Sequence, residues 1–463
     1  KYFDELINLD ENNKLPSKIL LSGQKGIGKS TLAYHFINYC LSKNEGFKYN
    51  IDEYEINPES SNFKTIINKS NPNFILLDIS DEAAQKGKDS MISERNPMLS
   101  DPSKINNVET GTFENDFELI KNYDWICEVV VEKLDIKRQI FEKIEKYRKD
   151  GSIVSSNTSG IPLRDITENM PDRLLSDVCI THFFNPVKVM KLCELIPGEK
   201  TKPEILDNLS IFLRDIMNKG VVNAKDTVNF IGNRIGCFLI LKGLHQGKKA
   251  REVGLIQEEI DGLMSRPIGL PPTGLYGLVD LIGLDVMYSV GKNLAINLPK
   301  DDQGLIYVNL PTEEQNMFDS GQLGRKTGGG FYRMQKLDNE EKKKEVFDLS
   351  NLEWRDAKKI SIDGDLNMML EDTEQGNYLW QVMGSTLAYA ADLIPEIADD
   401  ILNIDRAMRW GFAWSKGPFE MLDEIGPNNF INKCKENNIS IPKMLQILDE
   451  SENDTFYKDG KYL

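Results

Sequence analysis

Between Asp124 and Phe183 the chain alternates between apolar runs and helical periodicity, and this alternation leaves few folds open. Residues 124–131, DWICEVVV, form a near-continuous apolar run, as expected of a strand covered on both faces. From Leu134 to Arg148 the residues Ile136, Ile140, Phe141, Ile144 and Tyr147 recur at helical spacing. Two further strands are predicted at 152–157 (SIVSSN) and 177–182 (DVCITH). Strands alternating with helices imply an α/β fold with a parallel, doubly wound sheet. Ligands of such sheets bind just outside the carboxyl ends of the strands. Glu132, Lys137, Ser159, His182 and Asn185 all lie at or just beyond such ends.

Length and composition set the wider limits. The 463 residues correspond to about three domains. Forty per cent are hydrophobic, and no uninterrupted apolar run approaches the roughly 18 residues of a membrane span, so a soluble chain with ample core is expected. The first residue is Lys1 and no secretory signal precedes a cleavage site; the chain reads as a fragment of a cytoplasmic protein. Six cysteines occur without a C-x-x-C pair, and Cys127, Cys179, Cys193 and Cys237 sit in apolar runs. Buried reduced thiols are expected, with neither disulfides nor a metal site. The formal charge of −17 argues against a nucleic-acid-binding surface over the whole chain.

Residues 18–40 read KILLSGQKGIGKSTLAYHFINYC: an apolar strand, a glycine-rich loop and an amphipathic helix. Gly23, Gly28, Lys29 and Ser30 fit the phosphate-cradling P-loop pattern G-x-x-x-x-G-K-[ST]. Amides at the helix N-terminus would surround a phosphate, Lys29 would reach its oxygens, and Ser30 would hold Mg²⁺. The other reading is a chance glycine turn. This segment resembles the start of the clamp-loader ATPase subunits of bacterial DNA polymerase III. No apolar run closing in Asp-Glu follows it, and no arginine occurs before Arg95, so nucleotide binding is expected without support for hydrolysis. After a polar stretch, 41–73, Phe74–Ser80 (FILLDIS) reads as a buried strand ending in Asp78.

The stretch 178–197, VCITHFFNPVKVMKLCELIP, delivers His182 at the end of an apolar run, with Glu194 twelve residues later. Oxidising a secondary alcohol needs a base for the hydroxyl proton, and imidazole suits that work. A carboxylate on the other ring nitrogen fixes the tautomer and stabilises imidazolium. With three histidines in the chain, His35, His182 and His245, candidates are few. Spacing alone also fits a core histidine beside a solvated glutamate.

THFFNPVKVMKLCELIPG resembles the catalytic segment of the 3-hydroxyacyl-CoA dehydrogenases, with SSNTSG before it and DTVNFIGNRIG after it in the family's order. The resemblance runs from about Phe74 to the C-terminus. It implies a Rossmann-like domain, NAD as cofactor and an acyl-CoA substrate oxidised from 3-hydroxy to 3-oxo in fatty acid oxidation. It places His182 and Glu194 on the catalytic pair, Ser159 between cofactor and substrate, and Asn233, beside Arg234, where substrate is bound or the base positioned. By the same resemblance Glu132, Lys137 and Asn185 contact NAD, and Lys326, in GRKTGGGFY, reaches it. Asp78 would bond the ribose hydroxyls, its other reading being a loop aspartate. With no arginine before Arg95 to meet a 2′-phosphate, NAD is expected over NADP.

Four segments follow: 1–73, a P-loop strand-loop-helix; 74–198, the remainder of the NAD-binding domain; 199–335, a helical dehydrogenase C-terminal domain; and 336–463, a charged linker (336–377) with a second helical copy. Thr201–Glu204 fits a capping box opening a helix with Ile205, Leu209, Phe212, Ile216 and Met217 on one face, closed by Gly220. Asn229–Gly243 carries Phe230, Ile231, Ile235, Phe238 and Leu239 as a core stripe. IDRAMRWGFAWSKGPFEMLDEIG (404–426) restates IDGLMSRPIGLPPTGLYGLVDLIG (260–283), which suggests a duplicated domain, and with it a homodimer or a pseudo-dimer. The tail has YLWQVMGSTLAYAA where Asn233-Arg234 would fall, so packing is its expected role.

The chain departs from the family before Asp78, where no G-x-G-x-x-G unit occurs: Gly26 and Gly28 begin one, but Thr31 takes the third position. The P-loop unit is therefore expected to fill the place of the missing first strand and helix, Lys18–Ser22 pairing in parallel with FILLDIS or DWICEVVV, and NAD to bind more weakly than to an intact relative. The competing readings are a catalytically silent chimera joined near Asn73, and an ATP-binding clamp-loader fragment carried by 1–73.

Overall fold

The computed structural model describes residues 2–12, 35–36, 39–40, 49–51, 74–93, 99, 101–336, 342–451, 453–459 and 461–462. Gly23, Gly28, Lys29, Ser30 and the strand expected at Lys18–Ser22 lie outside the described residues. The chain divides into two compact units, Lys1–Leu119 and Ile120–Leu463.

In the first unit helix α1 (Tyr2–Glu11) contributes Phe3 and Ile7 to a cluster with Phe36, Tyr39 and Tyr49. Strand β1 (Phe74–Asp78) leads through helix α2 (Asp81–Ser90) to strand β2 (Val108–Thr112), which pairs with it in parallel. Ser80 caps α2, its Oγ accepting the Ala83 N–H at 3.2 Å, with Asp81 and Glu82 in the first turn. Residues 81–116 hide β2 from a sequence reading because VETGT is short, polar and contains glycine. Among the described residues β1 pairs only with β2.

The second unit carries a five-stranded sheet in the order β3-β4-β5-β6-β7. Strand β3 (Trp125–Glu128), helix α3 (Leu134–Tyr147), and strands β4 (Ile153–Ser156) and β5 (Val178–Phe183) follow the expected alternation, the three strands being parallel. Strand β3 stops at the fifth residue of DWICEVVV, and Val129 and Val131 stand 64% and 60% exposed beyond it. The cause is Glu128, whose buried carboxylate accepts the Val130 N–H at 2.6 Å and turns the chain. The sheet is mixed, not wholly parallel. Strand β6 (Leu192–Pro197) returns antiparallel to β5, because the connection 184–191 is shorter than the dozen or so residues a parallel crossover needs.

Helix α4 (Pro203–Ile211) has no capping box: Thr201 Oγ1 donates to the Val178 carbonyl and accepts the Gly198 N–H instead. A π turn at Phe212–Ile216 rotates the helix face. Leu213 is therefore buried with Ile205 and Leu209, while Phe212, Ile216 and Met217 are exposed. Gly220 opens strand β7 (Gly220–Asn223), parallel to β6, and so does not close the helix.

Helix α5 (Gly232–Glu252) and the two residues before it bury the expected stripe Phe230, Ile231, Ile235, Phe238 and Leu239. Helices α6 (Gln257–Leu263), α7 (Gly274–Ile282) and α8 (Leu284–Asn297) pack around it, and α9 (Thr312–Asp319) packs on α8. The stretch 336–377 is more than a linker. It continues a three-stranded antiparallel meander of β8 (Tyr332–Lys336), β9 (Lys342–Asp348) and β10 (Glu353–Asp356). Arg355 fastens it, both Nη atoms bonding Glu258 of α6 at 2.6 and 2.7 Å.

In the tail, α10 (Glu374–Leu379) and α11 (Ser385–Asp392), joined by a π turn, lie against α5. Helix α12 (Ile401–Gly411) packs on β6 and β7, and α13 (Pro418–Ile425), α14 (Pro427–Glu436), α15 (Lys443–Asp449) and the antiparallel strands β11 (Tyr457–Lys458) and β12 (Lys461–Tyr462) follow. The six cysteines are free, with Cys179, Cys193 and Cys237 buried as expected; Cys127, on β3, is exposed. No single helix among the described residues is long and apolar enough to cross a membrane, and none of their His, Cys, Asp or Glu side chains cluster as metal ligands.

Candidate functional site

The antiparallel return of β6 does chemical work, because its register sets His182 directly opposite Glu194. Opposed side chains on one sheet face lie within contact reach, and Nδ1 of His182 meets Oε2 of Glu194 at 2.6 Å. Both are buried, His182 at 3% and Glu194 at 0% exposure. The other carboxylate oxygen accepts the Ile231 and Gly232 N–H groups at 3.0 and 2.8 Å. These are donors at the start of α5, where helix N–H groups lack internal partners and favour negative charge. Glu194 is thus satisfied on both oxygens, so the solvated-glutamate alternative does not hold. The Nδ1 bond leaves Nε2 as the imidazole atom able to exchange a proton. Rings of Phe184 and Phe230 flank it at 4.8 and 5.5 Å. The remaining histidines are occupied elsewhere, His35 with the Tyr49 hydroxyl and His245 with the Asn309 carbonyl.

Asn233 is the second residue of α5, adjacent to the Gly232 N–H that holds Glu194. Ser159 is exposed in the loop after β4. A Cβ on its neighbour Gly160 would stand 2.7 Å from Asn229 Oδ1 and 3.2 Å from Asn293 Oδ1. Glycine lets this loop approach the entry to α5, so Ser159, Asn233 and the His–Glu pair belong to one region.

Glu132 ties the strand ends together, its Oε1 accepting Thr158 Oγ1, Ser159 N and Gly160 N at 2.6, 2.9 and 3.0 Å. Burial pushes its carboxyl up, but these bonds and the Lys137 ammonium outweigh that and bring it below the usual range. Lys137 is 1% exposed. Its Nζ lies 3.0 Å from Glu128 Oε1 and 3.3 Å from Glu132 Oε2, so it braces the loops from beneath. Asn185 is exposed in the loop after β5. Lys326 is exposed and paired with Asp285 of α8. Asp78, in the first unit, ends β1 and accepts the Ile79 N–H at 2.7 Å.

Residues that the sequence reading passed over include Glu128, Asn157 and Asn229. Glu128 accepts Lys137 and Ser156 Oγ, and an acid inside an apolar run was the available signal. Asn157 Oδ1 takes the Phe183 N–H at 2.9 Å and so links the ends of β4 and β5. Asn229 has a φ of 61°, in the left-handed region, a backbone fact with no clear sequence mark.

The strand ends suit a dinucleotide on one structural ground: exposed Val129, Val131, Val187 and Val189 follow β3 and β5 beside Glu132 and Asn185. Apolar surface next to a few placed polar groups is what a flat, polar-edged ring requires.

Fold and site together define an α/β domain of the dinucleotide-binding class joined to a helical domain. The chain belongs to the 3-hydroxyacyl-CoA dehydrogenase family: the family's NAD binding domain matches residues 63–227 and its C-terminal domain residues 230–334. The match begins at residue 63, ahead of the start expected near Phe74. A putative fatty acid oxidation complex trifunctional enzyme of Rickettsia felis is 37% identical over 398 residues, 83% of this chain and 55% of that protein. A probable 3-hydroxyacyl-CoA dehydrogenase of Deinococcus radiodurans is 33% identical over 253 residues, 55% of this chain and 71% of it. The crystal structure of 3-hydroxybutyryl-CoA dehydrogenase from Escherichia coli has a TM-score of 0.60 at 19% identity, covering 81% of this chain and 92% of that one. The chain spans about half the length of the longer curated relatives it matches, 55% and 47% of two of them.

Proposed function

We propose that this chain is an NAD-dependent 3-hydroxyacyl-CoA dehydrogenase, oxidising 3-hydroxyacyl-CoA to 3-oxoacyl-CoA in fatty acid oxidation. The observation that carries this reading is the buried His182–Glu194 pair, 2.6 Å apart, within a chain of that family. Nε2 of His182 takes the hydroxyl proton as the C3 hydride departs. Glu194 holds the imidazole through Nδ1 and stabilises the imidazolium that forms. In the reverse direction protonated His182 polarises the 3-oxo group. NAD, when bound, accepts the hydride. Ser159 and Asn233 position the substrate; Asp78, Glu132, Lys137, Asn185 and Lys326 are assigned to the cofactor side.

We also read the part of 336–463 that follows residue 377 as a second helical copy that makes a pseudo-dimer within one chain, on the recurrence of sequence between 260–283 and 404–426. The phosphate-binding reading of Gly23, Gly28, Lys29 and Ser30 rests on spacing alone. A titration with ATP and Mg²⁺ tests it, and a Lys29→Ala variant binding as well as the parent would remove it.

The test of the main reading is NAD reduction driven by 3-hydroxyacyl-CoA. His182→Ala should lose about 10²–10⁴-fold in kcat, and Glu194→Gln nearly as much. A parent chain that reduces no NAD, or a Glu194→Gln variant with parental kcat, would overturn it.

A further inference from the structure

The tail carries no counterpart of Asn233-Arg234, yet its end of α12 reaches the walls of the His182–Glu194 pair. Phe184 lies one residue past β5, followed by the exposed run Asn185–Val189, so no ladder holds it beyond Phe183. Its ring nevertheless meets His182 edge-on, centroids 4.8 Å apart at 60°. Three contacts fix that ring from behind. Its Cζ sits 2.6 Å from where a Cβ on Gly232 would stand, the residue whose N–H holds Glu194. On Gly411 a Cβ would be 3.1 Å from Phe184 Cε1 and 2.6 Å from Leu192 Cδ2. Phe412 then closes the group, its ring edge-on to Phe184 at 5.8 Å and 68°. The Phe412 ring also fills the slot over Gly236 of α5, where a Cβ would stand 2.0 Å from its Cζ.

We propose that Phe412 is a positioning residue for the catalytic pair, acting through Phe184 to hold the His182 imidazole in line with Glu194. The proposal deepens the dehydrogenase reading and rests on it for the identity of the reaction. An imidazole held by one hydrogen bond can still swing about its Cβ–Cγ bond unless neighbouring rings confine it. Phe230 lies tilted against it and Phe184 meets it edge-on, and Phe184, with Phe412 behind it, is wedged over Gly232, Gly411 and Gly236. The tail would thus serve the site by packing alone.

Phe412→Ala tests this. In the parent, the short Nδ1–Glu194 bond should give a far-downfield proton resonance, assigned by its loss in Glu194→Gln. That signal is independent of turnover, so absent dehydrogenase activity would sink the functional reading while the signal still decides the positioning claim. Phe412→Ala should broaden or shift the resonance and lower kcat about tenfold, with the KM for NAD unchanged. Phe412→Leu, which refills most of the space, should recover most of both. Gly236→Ala approaches from the other side: its added Cβ displaces the Phe412 ring and should reproduce the loss even if Phe412→Ala folds poorly. Phe430→Ala is the control, a buried ring packed on Trp380 at 5.0 Å. It should lower the melting temperature and leave resonance and kcat alone. An unmoved resonance with parental kcat in Phe412→Ala, or an equal loss in Phe430→Ala, would overturn the proposal.

Discussion

In the first helical segment Asp261 accepts the Tyr276 and Gly277 N–H groups at 2.6 and 3.2 Å; in the second Asp405 accepts those of Phe419 and Glu420 at 2.8 and 3.2 Å. Further on, Asp280 accepts Phe331 and Tyr332 N–H, both at 2.7 Å, and Asp423 accepts Phe456 and Tyr457 N–H at 2.7 and 2.9 Å. Tyr457 closes the second arrangement, its hydroxyl donating to Asp405 at 2.7 Å, and Tyr332 bonds Asp261 in the first. The one-residue length difference falls between Asp261 and Tyr276, in the loop before α7. The two segments therefore share a polar joint and differ in what surrounds it. The first is entered by α5, whose start holds Glu194. The second is entered by α10 and α11, which present Tyr389 to Arg234. Joint and chemistry are separable: a carboxylate that seats a helix start and a strand can recur where no catalytic residue does.

The largest expected effect tests whether the two joints are equivalent in energy. Each Ala substitution at Asp261 or Asp405 strands two buried N–H groups and a tyrosine hydroxyl, at a cost of about 2–4 kcal/mol. Urea unfolding of the two variants measures this, and costs differing by more than about twofold would show that the shared geometry hides unequal roles. Activity sharpens the comparison further, because Asp261→Ala should impair turnover more than Asp405→Ala at equal folded fraction.

The joints also impose a pH dependence. Burial pushes both carboxyls, Asp261 and Asp405, up to about 7, whereas an unfolded aspartate titrates near 3.9. The folded chain then keeps protons that the unfolded chain releases. These groups contribute most below about pH 4, and their contribution falls as the pH rises towards 7. The gain in stability from pH 7 to pH 5 should accordingly shrink in Asp261→Asn and Asp405→Asn, and an undiminished gain in both would place the dependence elsewhere.

How far the sequence announced this architecture depended on what kind of signal each element sends. The run from β3 to β5 was legible because buried strands and an amphipathic helix write themselves in apolar periodicity. His182 and Glu194 were legible as a pair, but their apposition was not, since it comes from the antiparallel return of β6 and a register only three-dimensional pairing sets. The π turn at Phe212–Ile216 moved the buried face by one residue, and the face predicted at Phe212, Ile216 and Met217 points outward instead. The meander of β8, β9 and β10 was masked by its lysines and acids, most of which face water on an antiparallel sheet, whereas Glu345 is buried against Arg333. The likeness of 404–426 to 260–283 is visible in the residues; that Asp261 and Asp405, and Asp280 and Asp423, make matching hydrogen bonds is not.

A smaller effect probes the contact between the two segments. Arg234 is buried and bonds Asp302, Tyr389 and the exposed Glu396, its Nε donating to the Tyr389 hydroxyl at 2.6 Å, and that hydroxyl in turn bonds Asp302 at 2.9 Å. Tyr389→Phe keeps the ring stacked on Phe238 at 4.2 Å and removes the hydroxyl alone. Thermal or urea unfolding should report a loss of about 1–3 kcal/mol. A neutral result would mean that Asp302 and Glu396 suffice for the guanidinium and that the Tyr389 hydroxyl adds nothing to the hold of the tail on α5.

The smallest expected effect on stability separates folding from cofactor binding on the first segment's own side. Lys326 follows the turn that closes this segment, and its ammonium pairs with Asp285, the two side chains being 44% and 40% exposed. A pair so open to water is worth about 0–1 kcal/mol, so Lys326→Ala should melt close to the parent. If Lys326 reaches the dinucleotide, the same variant should raise the KM for NAD severalfold, and the rise should diminish as salt screens the parent's attraction to the anionic cofactor. The second segment offers the matched comparison in Lys416, exposed and paired with Glu424 at 3.1 Å, whose removal should change neither melting nor NAD affinity. Equal KM values in the parent and Lys326→Ala across a salt series would detach Lys326 from the cofactor and leave it as a surface pair like that of Lys416.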